Sequence, residues 1–210
     1  MEVATQIPSS LEERLKLATE LRMPASWEEF LEVLPQCEYQ VEYYGGEIVS
    51  IMGQASDNHE KLALKIGALL LSILGEEDYD FFGSNLPIQA ADSGKHYFNA
   101  DCTVVKGQAE KAEVLPGVAA TTNPTLLVEV LSPSTQQEDL STKLNHYRAM
   151  PSVQQLLFID STAMKVTSYA RAPEQGGWLL KDFTKLDDRC PVLGAEGFRL
   201  SDLYRKVDVE

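Results

Sequence analysis

The chain has 210 residues, 44% of them hydrophobic and 24% charged. These are the proportions of a globular protein with a full core, unlike those of a disordered or fibrous chain. Its 18 basic and 32 acidic side chains leave a net charge of −14, which excludes binding to nucleic acid or an anionic membrane by bulk charge alone. The acid is concentrated early: residues 1–100 carry 6 basic against 17 acidic side chains, and residues 151–210 carry 8 against 9.

The first residues, Met-Glu-Val-Ala-Thr, lack the basic region of a secretory signal. Ser10-x-x-Glu13 and Ser26-x-x-Glu29 are capping boxes that predict helices near 11–22 and 27–34, parted by Pro24. Tyr39–Tyr44, Gly45-Gly46 and Glu47–Met52 read as a hairpin, because two glycines supply the positive φ of a tight turn. From Asp57 the period becomes helical. Leu62, Ile66, Leu69, Leu70 and Ile73 form one face, Asp57 and Glu60 cap the start and Gly75 ends the helix. That longest apolar stretch is interrupted by Lys65, Gly67 and Ser72, so a membrane span is not expected.

Strand-like runs follow at Tyr79–Phe82, Leu86–Ala90, Tyr97–Val105 and Thr125–Leu131, with 106–124 read as a loop from Gly107, Pro116, Gly117 and Pro124. A helix is expected over 136–149, strands near 154–160, 164–170 and 177–183, and a short helix near 201–206. Two long helices among strand clusters predict one mixed α/β or α+β domain. Residues 1–24 would be an N-terminal helical extension and 25–210 the main domain. Cys37, Cys102 and Cys190 are odd in number and far apart, which excludes a cysteine zinc cluster and fits a reducing cytoplasm.

The chemistry concentrates between Asp101 and Tyr147. Asp101 stands within a strand of buried type, and Glu129 interrupts the apolar run Leu126–Leu131. A carboxylate there costs several kcal/mol unless it is paired or bound to metal. Adjacent strands lie about 4.8 Å apart, close enough for two carboxylates to share a hard cation. Asp139, Lys143 and Tyr147 are spaced four apart on the next expected helix, which places them along one face. Lys143 would be the partner of a carboxylate or a catalytic ammonium, against the plainer reading of a solvated Asp–Lys pair beside a half-buried tyrosine. His59, His96 and His146 show no metal-ligand spacing, and His59 opens a helix where a capping or surface role is the simpler expectation. Ser132-Pro133-Ser134 lacks a nucleophile elbow and reads as a turn.

The string Leu126-Leu127-Val128-Glu129-Val130-Leu131-Ser132-Pro133-Ser134-Thr135, followed by Asp139, Lys143 and Tyr147, resembles the signature of a bacterial restriction-endonuclease-like family. That family is abundant in cyanobacteria, was formerly catalogued as a domain of unknown function, and belongs to the PD-(D/E)XK nuclease superfamily. Glu42-x-x-Gly45-Gly46-Glu47-Ile48-Val49 and the later His59 are similar to its N-terminal half, so the resemblance spans roughly 25–205. It implies a restriction-endonuclease-like core, a central mixed β-sheet flanked by helices. Asp101 matches the aspartate of the "PD" strand, Glu129 the acid of the next strand, Lys143 the lysine that has moved onto the following helix, and Glu42 a further acidic position. Ala100 stands where the pattern has proline, and Leu131 leaves no lysine two residues after Glu129, a spacing the family shares.

The resemblance implies Mg²⁺- or Mn²⁺-dependent hydrolysis of DNA phosphodiester bonds. Asp101, Glu129 and the Val130 backbone carbonyl would hold the metal, and Lys143 would orient water or stabilise phosphoryl charge. Two other classes compete: a non-catalytic binding or assembly module that keeps the fold, and a metal-dependent phosphoesterase acting on a smaller substrate. The net acidity favours both, since a long polyanion asks for basic side chains. Cutting both strands calls for a homodimer, for which Trp27, Phe30 and Leu31 offer an apolar edge.

Overall fold

The computed structural model describes residues 6–51, 56–89, 95–133, 142–172, 174 and 176–209. The chain divides into two compact units, one of residues 1–54, 87–99 and 111–122, the other of 55–86, 100–110 and 123–210.

The first unit opens with α1 (Leu11–Arg14) and β1 (Glu20–Pro24), then α2 (Trp27–Val33) and the hairpin β2 (Glu42–Tyr44) and β3 (Glu47–Ile51). The helix expected over 11–22 therefore stops at Arg14, and its second half is a strand paired antiparallel with β3 from Glu20↔Ile51 to Pro24↔Glu47. Arg14 explains the switch. Its buried guanidinium donates to the carbonyls of Ala18 and Thr19, each at 2.7 Å, and of Ser50 at 2.8 Å, satisfying backbone that a continued helix would have bonded internally. The Ser26 box forms in full, with Glu29 reaching back to the cap. Gly45 and Gly46, at φ 63° and 78°, make the expected turn.

Part of the edge offered for dimerisation packs within this unit. Phe30 is fully buried with Trp27 and Leu31 packed around it, and its ring lies 5.2 Å from Tyr43 and 5.3 Å from Tyr97. A second sheet runs β6 (Phe98–Asn99), β5 (Pro87–Ile88), β9 (Val118–Thr121), β8 (Lys111–Leu115). The segment 106–124, expected as a loop, thus contains a hairpin: Pro116-Gly117 is its turn, with Gly117 at φ 83°, as a type II turn requires.

The second unit is built on α3 (Asp57–Leu74) and a six-stranded sheet ordered β13 (Gly177–Phe183), β12 (Val166–Ala172), β11 (Gln155–Asp160), β10 (Leu126–Leu131), β7 (Cys102–Lys106), β4 (Tyr79–Gly83). Among the described residues of this sheet only β10 and β11 pair in parallel, so the sheet is mixed, as expected. The N-cap of α3 is Ser56, whose hydroxyl accepts from the His59 amide at 3.2 Å, in place of the expected Asp57 and Glu60. Leu62, Ile66 and Leu70 of α3 pack on Leu126, Val128, Val130, Leu157 and Ile159. Alternation then turns Leu127, Glu129 and Leu131 to the other face. Two further elements lie outside the expected ones, β14 (Arg189–Val192) and β15 (Ala195–Arg199), a hairpin ahead of the short helix Leu200–Leu203. The first part of the helix expected over 136–149, including Asp139, lies outside the described residues, and its end is the helix Leu144–Ala149. No helix among the described residues is long and apolar enough to cross a membrane.

Candidate functional site

The site forms where β7 stops accompanying β10. Their antiparallel register runs Leu126↔Val104, Leu127↔Thr103, Val128↔Cys102. A continued ladder would next satisfy Val130 from residue 100. Instead the single strand expected over Tyr97–Val105 is broken: β6 ends at Asn99, β7 begins at Cys102, and Asp101 occupies the bend between them. Its Oδ2 accepts the Val130 N–H at 2.7 Å. Asp101 therefore caps the edge of β10 that β7 leaves unpaired and sets its carboxylate against the peptide that follows Glu129.

Glu129 is only 5% exposed and lies on the face opposite α3. Tyr147, fully buried on the helix Leu144–Ala149, donates its hydroxyl to Glu129 Oε1 at 2.7 Å. The Lys143 ammonium lies 3.5 Å from the same oxygen, with both side chains under a tenth exposed. Lys143 stands in a wider, π-type turn just ahead of that helix, a geometry frequent at functional sites. The buried carboxylate thus has the cation and hydrogen bond that such a position demands.

His59 joins from the first turn of α3, its Nε2 3.4 Å from Asp101 Oδ2. The Asp101 carboxylate holds the imidazole above the ordinary histidine range, against partial burial, which pulls the other way. The sequence suggested only a capping or surface position for His59. Its approach to Asp101 depends on how α3 docks on the sheet. Glu42 belongs to the other unit, where its Oε1 accepts the Asn99 N–H at 2.8 Å. Burial pushes the Cys102 and Cys190 thiols up to about 12, which leaves them as packing groups rather than nucleophiles.

Among the described residues no group of three or more histidine, cysteine or acidic side chains is placed to hold a metal. Asp101 and Glu129 are two. Two carboxylates are a sufficient protein contribution for Mg²⁺, which keeps several waters and takes further oxygen from a phosphate. The donor set therefore fits such an ion, and a site for a thiophilic metal does not arise.

Three comparisons locate the chain among known proteins. Residues 27–202 match the model of the Uma2 family, described as "Putative restriction endonuclease". Two uncharacterized proteins of Synechocystis sp. are similar: sll1609 is 32% identical over 154 residues, covering 73% of this chain and 84% of that protein. The second, slr1290, is 29% identical over 160 residues, covering 76% and 80%. A crystal structure of "a putative nuclease belonging to DUF820" from Anabaena variabilis superposes with a TM-score of 0.67 at 22% identity, over 87% of this chain and 98% of that one, which shows the fold. The resemblance carried by Glu129–Ser134 is borne out: the chain belongs to the Uma2 family, described as "Putative restriction endonuclease", and it has the mixed-sheet fold of that crystal structure.

Proposed function

We propose that the chain is a Mg²⁺- or Mn²⁺-dependent endonuclease acting on DNA phosphodiester bonds. One observation carries this reading: the Asp101 carboxylate accepts the N–H of Val130, the residue after Glu129, and Glu129 itself is held by a buried lysine and a buried tyrosine. Asp101, Glu129 and the Val130 carbonyl are the groups that would hold the ion. When bound, such an ion lowers the pKa of a water and offsets phosphate charge. Tyr147 fixes the Glu129 rotamer. Lys143 supplies a positive charge in a desolvated setting, where it acts on developing phosphoryl charge more strongly than it would in water. Glu42, carried by the family pattern alone, enters as a further acidic position.

The test is calorimetric titration of Mn²⁺ into the native chain, Asp101→Asn and Glu42→Gln. A single saturable site lost in Asp101→Asn supports the reading, and cleavage of plasmid DNA by the native protein but not by Lys143→Ala completes it. A folded native protein that binds no divalent ion overturns it. The charge of −14 favours a second reading, a phosphoesterase on a smaller substrate. Metal binding with turnover of a small phosphodiester, but not of DNA, selects that one.

A further inference from the structure

The first turn of α3 is tied down well beyond its cap. Ser56 accepts the His59 amide at 3.2 Å, which is the ordinary device for a helix start. Asn58, the residue before His59, adds bonds to two distant segments. Its amide donates to the Ser161 carbonyl at 3.2 Å and to the Asp208 carbonyl at 2.6 Å, and its Oδ1 accepts the Asp208 N–H at 3.3 Å. Ser161, just past β11, donates its own N–H to the carbonyl of Leu131 at 3.0 Å. Leu131 is the last residue of β10. A chain of hydrogen bonds therefore fixes the turn bearing His59 to the strand end that bears Glu129 and Val130. Such outer bonds are what hold a site's side chains to one geometry.

Within that frame the contacts of Asp101 are one-sided. The Val130 N–H donates to Oδ2 at 2.7 Å, and His59 Nε2 stands 3.4 Å from the same oxygen. A carboxylate oxygen only accepts, so the nitrogen facing it carries the proton, in the neutral ring as in the charged one. Among the described residues Oδ1 makes no hydrogen bond and no ion pair. Rotating the carboxyl group to exchange its oxygens would give up both contacts. The Asp101 side chain is 19% exposed, so solvent and ions reach it. The histidine is less available. Nε2 is turned to Asp101, and Nδ1 is buried without a hydrogen bond, with the Glu60 carboxylate 3.6 Å away. Neither ring nitrogen offers a lone pair outward. Glu129 is held in the same manner, with Tyr147 and Lys143 both meeting Oε1.

We infer that His59 is a positioning residue for Asp101: with the Val130 N–H it secures Oδ2 and leaves Oδ1 to bind the cation. The inference rests on the proposed metal-dependent reading and deepens it. His59 acts through the aspartate, touching neither ion nor substrate. Carboxylates that bind metals are commonly hydrogen-bonded from behind in this way, and the supporting group governs affinity.

The experiment titrates Mn²⁺ by calorimetry into the full native chain, His59→Leu and His59→Gln, with thermal melts in chelator to show that each variant folds. His59→Leu should bind about tenfold more weakly, the lower end of the loss when the hydrogen bond behind a metal ligand is removed. His59→Gln, whose amide restores an N–H donor, should recover most of that affinity. Electron spin-echo spectra of Mn²⁺ on the native chain should lack the nitrogen modulation of a directly bound imidazole. If His59→Leu does not fold, His59→Gln and these spectra decide. Native affinity in His59→Leu would overturn the inference and leave the metal site standing. Equal losses in both variants, or an imidazole nitrogen on the ion, would overturn it too. A folded native chain that binds no Mn²⁺ refutes the proposed function itself, and the role of His59 with it.

Discussion

Glu129 sits 5% exposed in an apolar strand, and one helical segment supplies two groups that answer it, the Lys143 ammonium and the Tyr147 hydroxyl on a single oxygen. A buried charge pair gives little net stability when intact, but removing one member strands the other. Lys143→Met should therefore cost about 3 kcal/mol in urea unfolding at neutral pH. The double variant Lys143→Met, Glu129→Gln should recover much of that loss. Equal stability of native protein and single variant would show that the pair is solvated. The need for a partner was legible from the sequence, because a carboxylate within Leu126–Leu131 demands one. Its identity was legible only as a spacing, since Lys143 and Tyr147 four residues apart fit a solvated face equally well.

Strand pairing in the β14–β15 hairpin and at the β13 edge of the six-stranded sheet offers sharper tests. Gly197 in β15 has φ 81°, and a methyl built there would fall 1.7 Å from the Cys190 carbonyl oxygen. Gly197→Ala should destabilise the protein by about 2–3 kcal/mol, from backbone strain and a displaced β14, read as a lower denaturation midpoint with an unchanged slope. Asp182 in β13 accepts from the Thr167 hydroxyl at 2.6 Å and faces Lys165 at 3.0 Å. The Thr167 bond, assisted by Lys165, holds its carboxyl below the ordinary aspartate range. A folded pKa lower than the unfolded one contributes stability above the unfolded value, and that stability is lost as pH falls through the folded pKa. Asp182→Asn should thus be less stable than the native chain at pH 7, with the gap closing on acidification below about 3.9, as followed by denaturant melts across pH. These elements also mark where local reading failed. Pro116-Gly117 reads locally as loop punctuation, although the same dipeptide is a hairpin turn. The β14–β15 turn uses Leu193 at positive φ, which no propensity announces.

Taken whole, a molecule of charge −14 approaches a polyanion at an electrostatic disadvantage that a bound divalent ion locally reverses. Fluorescence anisotropy with duplex DNA should show weak binding in chelator at physiological salt, and binding strengthened at least tenfold by Ca²⁺. Thermal unfolding should likewise rise with Mn²⁺, by the equivalent of about 2.7 kcal/mol at one hundred times its Kd. Asp101→Asn should abolish that rise. A metal-independent melting curve for the native chain would contradict the proposed site.

The sequence by itself determined the mixed fold class and the α3 and β10 core faces, and it singled out Asp101 and Glu129. Those depend on local periodicity and on the cost of burying charge, both of which act residue by residue. Tertiary structure decided what local energies leave nearly balanced. Arg14 turned the second half of a well-capped helix into a strand by binding the carbonyls of Ala18, Thr19 and Ser50. Asp101 left its strand to cap Val130, and α3 carried His59 to within 3.4 Å of that aspartate. Each of these contacts joins residues from separate segments, so its energy exists only once the sheet has formed.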